Sequence, residues 1–237
     1  MVRRTKEEAL ETRNELLDAA ERVFNEKGVS RTSLADIAEA AGLTRGAIYW
    51  HFRNKADLFD AMMERVTLPL ENLVAQSGDS ELEDPLGHVR ACAVGVLRQT
   101  ARDARMQRVF EIVTHKCEYV DDMVALKERH LESRSACLEQ IEAGFRHAAA
   151  RGQVAAGTDG RRAAIGLHAL IDGLIDNWLL DPAYFDLGAE ADRMIDIYLA
   201  GLGAGAEGGQ AARKPVKART SVRVQAAVRA TTPRKSR

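Results

Sequence analysis

Apolar residues recur at three- and four-residue spacing along most of this chain, and nowhere alternate as strand residues do between hairpin turns. Between residues 6 and 27, Leu16, Ala20, Val23 and Phe24 draw one stripe, which predicts a helix, and Gly28 supplies its stop. Ser33 stands as an N-cap three residues before Asp36, and Leu34, Ile37, Ala38 and Ala41 follow at i, i+3, i+4 and i+7. Gly42 ends that second helix. Thr44 caps a third, very short one, whose inward residues by spacing are Ala47 or Ile48 and Phe52. Asn54 opens a fourth helix with Asp57 in its first turn, where a negative charge complements the helix dipole. Pro69 is expected to kink or end it.

Beyond Gly78 the helices lengthen. Asp84-Pro85 is a start signal, because Asp caps and Pro suits the first helical position. Helices are expected over 85–102, 104–116, 121–151, 159–180 and 186–202, punctuated by Gly152, Gly157 and the Asp181-Pro182 pair. From Gly203 onward no apolar face persists, which predicts a disordered segment. No internal repeat is present.

Tyr49, Trp50 and His51 stand side by side at the end of the shortest helix. With Ile48 and Phe52 inward, the 100° step per residue turns Arg45, Tyr49 and Trp50 outward or to the edge. Two short helices joined through small residues and a glycine turn form a helix-turn-helix. An outward surface of rings with polar tips suits DNA: Tyr and His can donate to phosphate, and Arg45 can reach a guanine edge. The same spacing also fits a plain helical corner with Tyr49 and Trp50 wedged between helices, and Trp50 suits packing equally well.

Composition sharpens this picture. Aromatic residues make up only 5% of the chain against 46% hydrophobic overall, so the core must be built from Leu, Ile, Val and Ala. The charge is partitioned: residues 1–55 carry +1, residues 56–207 carry −11, and residues 208–237 carry nine basic side chains and no acid. No uninterrupted apolar run approaches the roughly 18 residues of a membrane span, and MVRRTKEEALETR lacks the apolar segment of a signal peptide. A soluble, cytoplasmic protein is therefore expected, with Cys92, Cys117 and Cys137 reduced.

The stretch TSLADIAEAAGLTRGAIYWHFRNKADLF, with the helix ETRNELLDAAERVFNEKG ahead of it, resembles the DNA-binding signature of the TetR family of bacterial transcriptional repressors. MVRRTKEEA, HKCEYVDDM at 115–123 and DGLIDNWLLDP at 172–182 resemble the AcrR/TtgR branch, which represses multidrug efflux operons. The resemblance covers most of the chain to about residue 200; the basic tail lies outside it. It implies that Thr44, Arg45, Gly46 and Ala47 face bases or the groove floor. Tyr49, Trp50, His51 and Lys55 would hold the DNA backbone, and Thr32 and Ser33 would touch phosphate. It also implies a broad drug pocket formed by Cys92, Val96, Phe110, Val113, Thr114, Cys137, Ile141, His168, Ile171, Asp172 and Ile175. The chain departs from the branch at Phe110 and Asp176, where polar and basic residues occur; a more apolar wall and greater tolerance of cationic compounds are expected.

The body residues agree with a ligand and a partner. Ala164, Ile165, Leu167, Leu170, Ile171, Leu174, Ile175, Trp178 and Leu179 wrap nearly the whole circumference of helix 159–180, so one side packs its own domain and another needs a partner chain. Helix 186–202 adds Met194, Ile195, Tyr198 and Leu202, which together suggest a four-helix dimer interface; burial within one subunit is the alternative. His168, Asp172 and Asp176 form a polar stripe, either a solvated edge or the polar anchors of an apolar pocket. His115 and Cys117 alone do not make a zinc site, and no catalytic motif is present, so no metal or cofactor is expected.

The resulting expectation is an all-α protein: a three-helix helix-turn-helix domain at 1–54, a helical ligand-binding and dimerisation domain at 55–203, and a disordered basic tail at 204–237. Its partners would be double-stranded operator DNA, a small hydrophobic or aromatic antimicrobial-like effector, and a second copy of itself, with no membrane. Two other classes stay open at this point: a constitutive DNA-organising protein, favoured by the tail, and a helical enzyme.

Overall fold

A computed structural model of the chain describes residues 6–118 and 124–204. The start of the helix expected from residue 121 and the tail beyond residue 204 lie outside the described residues. Among the described residues there are nine α-helices and no strand.

The head is built by α1 (Lys6–Lys27), α2 (Leu34–Ala40), α3 (Arg45–His51) and the start of α4 (Lys55–Ala75). Leu16, Ala20 and Phe24 of the α1 stripe are fully buried, and Phe24 meets Phe59 of α4 with ring centroids 5.9 Å apart. At α2 the capping box closes in both directions, Asp36 N–H donating to the Ser33 hydroxyl and Ser33 N–H to the Asp36 carboxylate. That carboxylate sits below its usual range because Ser33 donates to it from both hydroxyl and backbone. Gly42, at φ +67°, ends α2 in a Schellman motif: its N–H reaches Glu39 O and the Leu43 N–H reaches Ala38 O, each at 2.9 Å. A side chain at this φ is strained, so glycine sets the angle between α2 and α3. Gly152 at φ +74° closes the helix that ends at Ala150 in the same way.

The body adds a 3₁₀ turn (Gln76–Gly78), α5 (Pro85–Arg102), α6 (Ala104–Glu111), a π-helical turn (Ile112–Lys116), α7 (Val124–Ala150), α8 (Gly160–Leu180) and α9 (Leu187–Ala204). Pro69, expected to kink or end α4, does not end it, and the helix continues to Ala75. The proline ring is exposed, while Leu70 and Val74 on neighbouring faces pack into the interior and carry the helix across the missing hydrogen bond. The segment 104–116 is not one α-helix either: it widens into the π turn after Glu111, which sinks Ile112 into the core and brings Lys116 O within 3.0 Å of Val29 N–H.

The buried residues fall into two clusters. The head cluster joins α1–α4 to Met106, Val109 and Ile112 of α6 and its π turn; the body cluster joins α5, α7, α8 and α9. Phe110 packs against both. Arg90 of α5 clamps Asp192 and Asp196 of α9, at 3.1 and 2.5 Å, and holds the Asp196 carboxyl below its usual range. Gly166 lets α8 and α9 approach closely, since a Cβ there would fall 2.5 Å from the Tyr198 hydroxyl.

Helix α8 is long and apolar enough, by length and composition, to cross a membrane, contrary to the expectation from uninterrupted runs. Its apolar residues are interrupted by His168, Asp172 and the Asp176-Asn177 pair, and its Ala163, Ala164, Leu167 and Ile175 are buried in the body cluster.

Candidate DNA-reading surface and interior cavity

Helix α3 is pinned by Ile48 and Phe52, which are 0% and 2% exposed, and Arg13 of α1 lies 5.1 Å above the Phe52 ring. With those two fixed inward, Tyr49 is 54% and Trp50 73% exposed. A residue kept for packing is not left so open, so Trp50 is a surface ring, braced edge-on by His51 at 4.5 Å. Thr44, Arg45 and Gly46 are exposed beside them, Ala47 is partly buried, and the Thr44 hydroxyl caps α3 by accepting the Ala47 N–H. Ser33 is exposed at the start of α2.

Two residues expected at phosphate make hydrogen bonds within the chain. Thr32 is 3% exposed and its hydroxyl donates to Gly28 O at 2.8 Å, closing the turn after α1. The Lys55 ammonium donates to three carbonyls of that turn, Val29 O at 2.8 Å, Thr32 O at 3.0 Å and Ser30 O at 3.3 Å. A lysine in the first turn of α4 opposes the helix dipole, and the three carbonyls offset that cost. Both residues brace the turn between α1 and α2.

The body encloses a cavity of about 290 Å³. Of the eleven residues named for a ligand site, nine border it: Cys92, Val96, Phe110, Cys137, Ile141, His168, Ile171, Asp172 and Ile175. Val113 borders a second, more polar cavity of about 260 Å³ between α4 and α7 instead, and Thr114 is exposed on the π turn. Both lie on the π turn, not on α6.

The cavity wall is mainly apolar, with Glu71, His130, Arg134, His168 and Asp172 among its polar points. His168 Nδ1 and Asp172 Oδ2 pair at 2.9 Å on α8. Asp176, the third member of the stripe, turns instead to His115 Nε2 at 3.3 Å and ties α8 to the π turn. Burial lowers the His130 imidazole below its ordinary value, with Arg134 adding to the effect, which favours a neutral ring on the wall. The Cys137 thiol is pushed up to about 11 by burial, and Cys92 is raised for the same reason. These thiols pack as small apolar groups.

Sequence reasoning missed the opposite wall, where α4 supplies Thr67, Leu70, Glu71 and Val74 and α7 supplies His130, Ser133 and Arg134. His130, Ser133, Cys137 and Ile141 recur at helical spacing, and that stripe was the available signal.

An exposed recognition helix on a compact head, carried by an all-helical body with an interior cavity, defines a DNA-binding transcriptional regulator of the helix-turn-helix class. Residues 16–62 match the family model of the bacterial regulatory proteins of the TetR family, and residues 84–203 match the C-terminal region of MAATS-type transcriptional repressors. The chain belongs to the TetR family. It is 44% identical over 199 residues to the HTH-type transcriptional regulator TtgR of Pseudomonas putida, covering 84% of this chain and 95% of that one. Among solved structures it is similar to NalD, the secondary repressor of the MexAB-OprM multidrug efflux pump in Pseudomonas aeruginosa. That match has a TM-score of 0.76 at 37% identity and covers 84% of this chain and 98% of the other. The SmeT–triclosan complex matches with a TM-score of 0.74 at 31% identity, covering 86% and 98%.

Proposed function

We propose that this regulator represses a multidrug efflux operon and leaves a palindromic operator when a small hydrophobic or aromatic, antimicrobial-like molecule fills the cavity. The carrying observation is the cavity itself: about 290 Å³ with a mainly apolar wall and a few polar groups, the His168–Asp172 pair on α8 facing Glu71, His130 and Arg134 on the other side, the usual makeup of a small-molecule site. Kinship supports the reading, since NalD is a repressor of a multidrug efflux pump and SmeT is a triclosan-binding relative.

Ser33, Thr44, Arg45, Gly46, Ala47, Tyr49, Trp50 and His51 meet the operator, with Arg45 as the long base-reading side chain. The working unit is a homodimer in the cytoplasm. Ile165 and Leu180 of α8 and Ile197 of α9 are 47%, 66% and 63% exposed, and a second copy seated on them would complete the interface. Residues 1–54 act as the DNA-binding domain, 55–203 as the ligand-binding and dimerisation domain, and 204–237 as a basic appendage. A ligand weakens DNA binding only if it binds the form with the wrong head spacing better than the operator-competent form.

Selection of duplexes from a random pool tests this. The expected product is a palindrome with half-sites one helical turn apart, released by a panel of apolar aromatic antimicrobials that includes triclosan. Enrichment of no sequence, or release by no member of the panel, counts against it.

A further inference from the structure

Asp18 and Glu21 lie almost one turn apart on α1, away from both the reading surface and the cavity wall. Glu21 is 1% exposed, a costly position for a carboxylate. Three guanidiniums close on the pair. Arg65 of α4 lies 2.7 Å from Asp18 and 3.4 Å from Glu21, and Arg105 of α6 lies 2.9 and 3.2 Å from them. Arg108, also on α6, lies 3.3 Å from Glu21. Burial raises the Glu21 carboxyl above its ordinary value against the pull of these arginines.

The socket is incompletely bonded in this conformation. Glu21 Oε1, Arg65 Nη1, Arg105 Nε and Arg108 Nε are all buried, yet none makes a hydrogen bond of good geometry. Buried polar atoms are ordinarily satisfied, and three guanidiniums around two carboxylates permit more than one pairing. Such a network has discrete alternatives, whereas an apolar contact has none of comparable directionality.

Its position gives those alternatives a use. Arg105 and Arg108 sit on the helix whose Phe110 borders the cavity, so displacement of α6 by an occupant moves two of the three socket arginines. The π turn that continues α6 holds the turn just after α1, where Val29 N–H donates to Lys116 O. The chain is thus held by α6 at α1, and by the π turn just after α1, before it enters α2 and α3.

We propose that Asp18 and Glu21, in the socket of Arg65, Arg105 and Arg108, are positioning residues that couple cavity occupancy to the orientation of the reading head. They touch neither DNA nor ligand. This inference rests on the proposed ligand-driven release, and its test separates the two.

Glu21→Gln keeps the shape and removes the charge; Arg108→Gln, at a residue 40% exposed, serves where the first variant fails to fold. Operator affinity of the free protein and affinity for triclosan should each stay within about threefold of wild type. The loss of operator affinity on saturation with triclosan should shrink by at least about fivefold, the low end of ordinary coupling. A lower melting temperature with an unchanged ligand response would reduce the socket to a structural role. Wild-type protein that fails to bind triclosan strikes the ligand reading alone, because the coupling is also read without inducer. By reciprocity, a selected operator duplex should change hydrogen exchange in α6 of the wild type and leave it unchanged in Arg108→Gln. An equal change in both, or no change in the wild type, overturns the proposal.

Discussion

Replacing Lys55 by Met separates two uses of one charge. In the structure its ammonium caps three carbonyls of the turn after α1, two of them at 2.8 and 3.0 Å in half-buried surroundings and one, at 3.3 Å, in the open. A hydrogen bond to a charged group contributes about 1.5–3 kcal/mol net. The three share one ammonium and the carbonyls regain water when it is lost, so about 2–3 kcal/mol is the expected loss for the set. For a chain of this size that corresponds to a fall in melting temperature of roughly 4–12 °C. The assay is thermal unfolding at fixed protein concentration, paired with a salt titration of operator binding. A lysine spent on carbonyls contributes no counterion release, so the salt slope should be unchanged. A lysine on phosphate would lower the slope by about 0.9 and leave stability alone. That second pattern, in Lys55→Met, refutes the assignment.

Arg45→Ala should cost about 1–3 kcal/mol of operator binding and relax preference at one position, read by repeating duplex selection with the variant. Asp172→Ala should reorder the affinities of cavity ligands in calorimetry while leaving ligand-free operator binding nearly unchanged; a variant that fails to dimerise would return that residue to a structural role. The Asp36 and Asp57 carboxyls are depressed in the folded head, so their stabilisation is present above the ordinary value of 3.8 and lost as pH falls through the lower folded values. Asp36→Asn should accordingly flatten the acid limb of a stability–pH curve below about pH 4. Removing residues 208–237, with nine basic side chains and no acid, should weaken binding to random duplexes more than to operator and reduce the salt slope; identical slopes would mean that the tail does not meet DNA.

What the sequence made legible was local. Ser33, Thr44, Asn54 and Asp84 cap the helices expected of them, and Gly28, Gly42 and Gly152 adopt the positive φ of helix stops, because caps and stops depend on a few adjacent residues. The outward turn of Tyr49 and Trp50 followed from the inward placement of Ile48 and Phe52. What stayed hidden depends on distant chain. Thr32 and Lys55 have the chemistry of phosphate ligands, and only the folded turn supplies the carbonyls that claim them. Glu21 reads as one acid among several on α1 until Arg65, Arg105 and Arg108 bury it from two other helices. The α7 face with His130, Ser133 and Arg134 resembles a solvated surface, and it closes a cavity only when α4 and α8 stand opposite. Val113 and Thr114 lie on a π turn that no local signal announced, and Val113 borders the second cavity.

The central claim, that an occupant of the cavity drives the protein from DNA, is tested most directly by filling the cavity with protein. Ile171→Trp places a ring into that space from α8. Fluorescence anisotropy of a labelled operator duplex, titrated with each antimicrobial of the panel, should show at least about tenfold loss of affinity for the wild type with the effective compounds. The filled variant should either keep operator binding and lose the response, or rest permanently in the released form. Wild-type-like operator affinity together with a wild-type-like response in Ile171→Trp would place the effector elsewhere and contradict the claim.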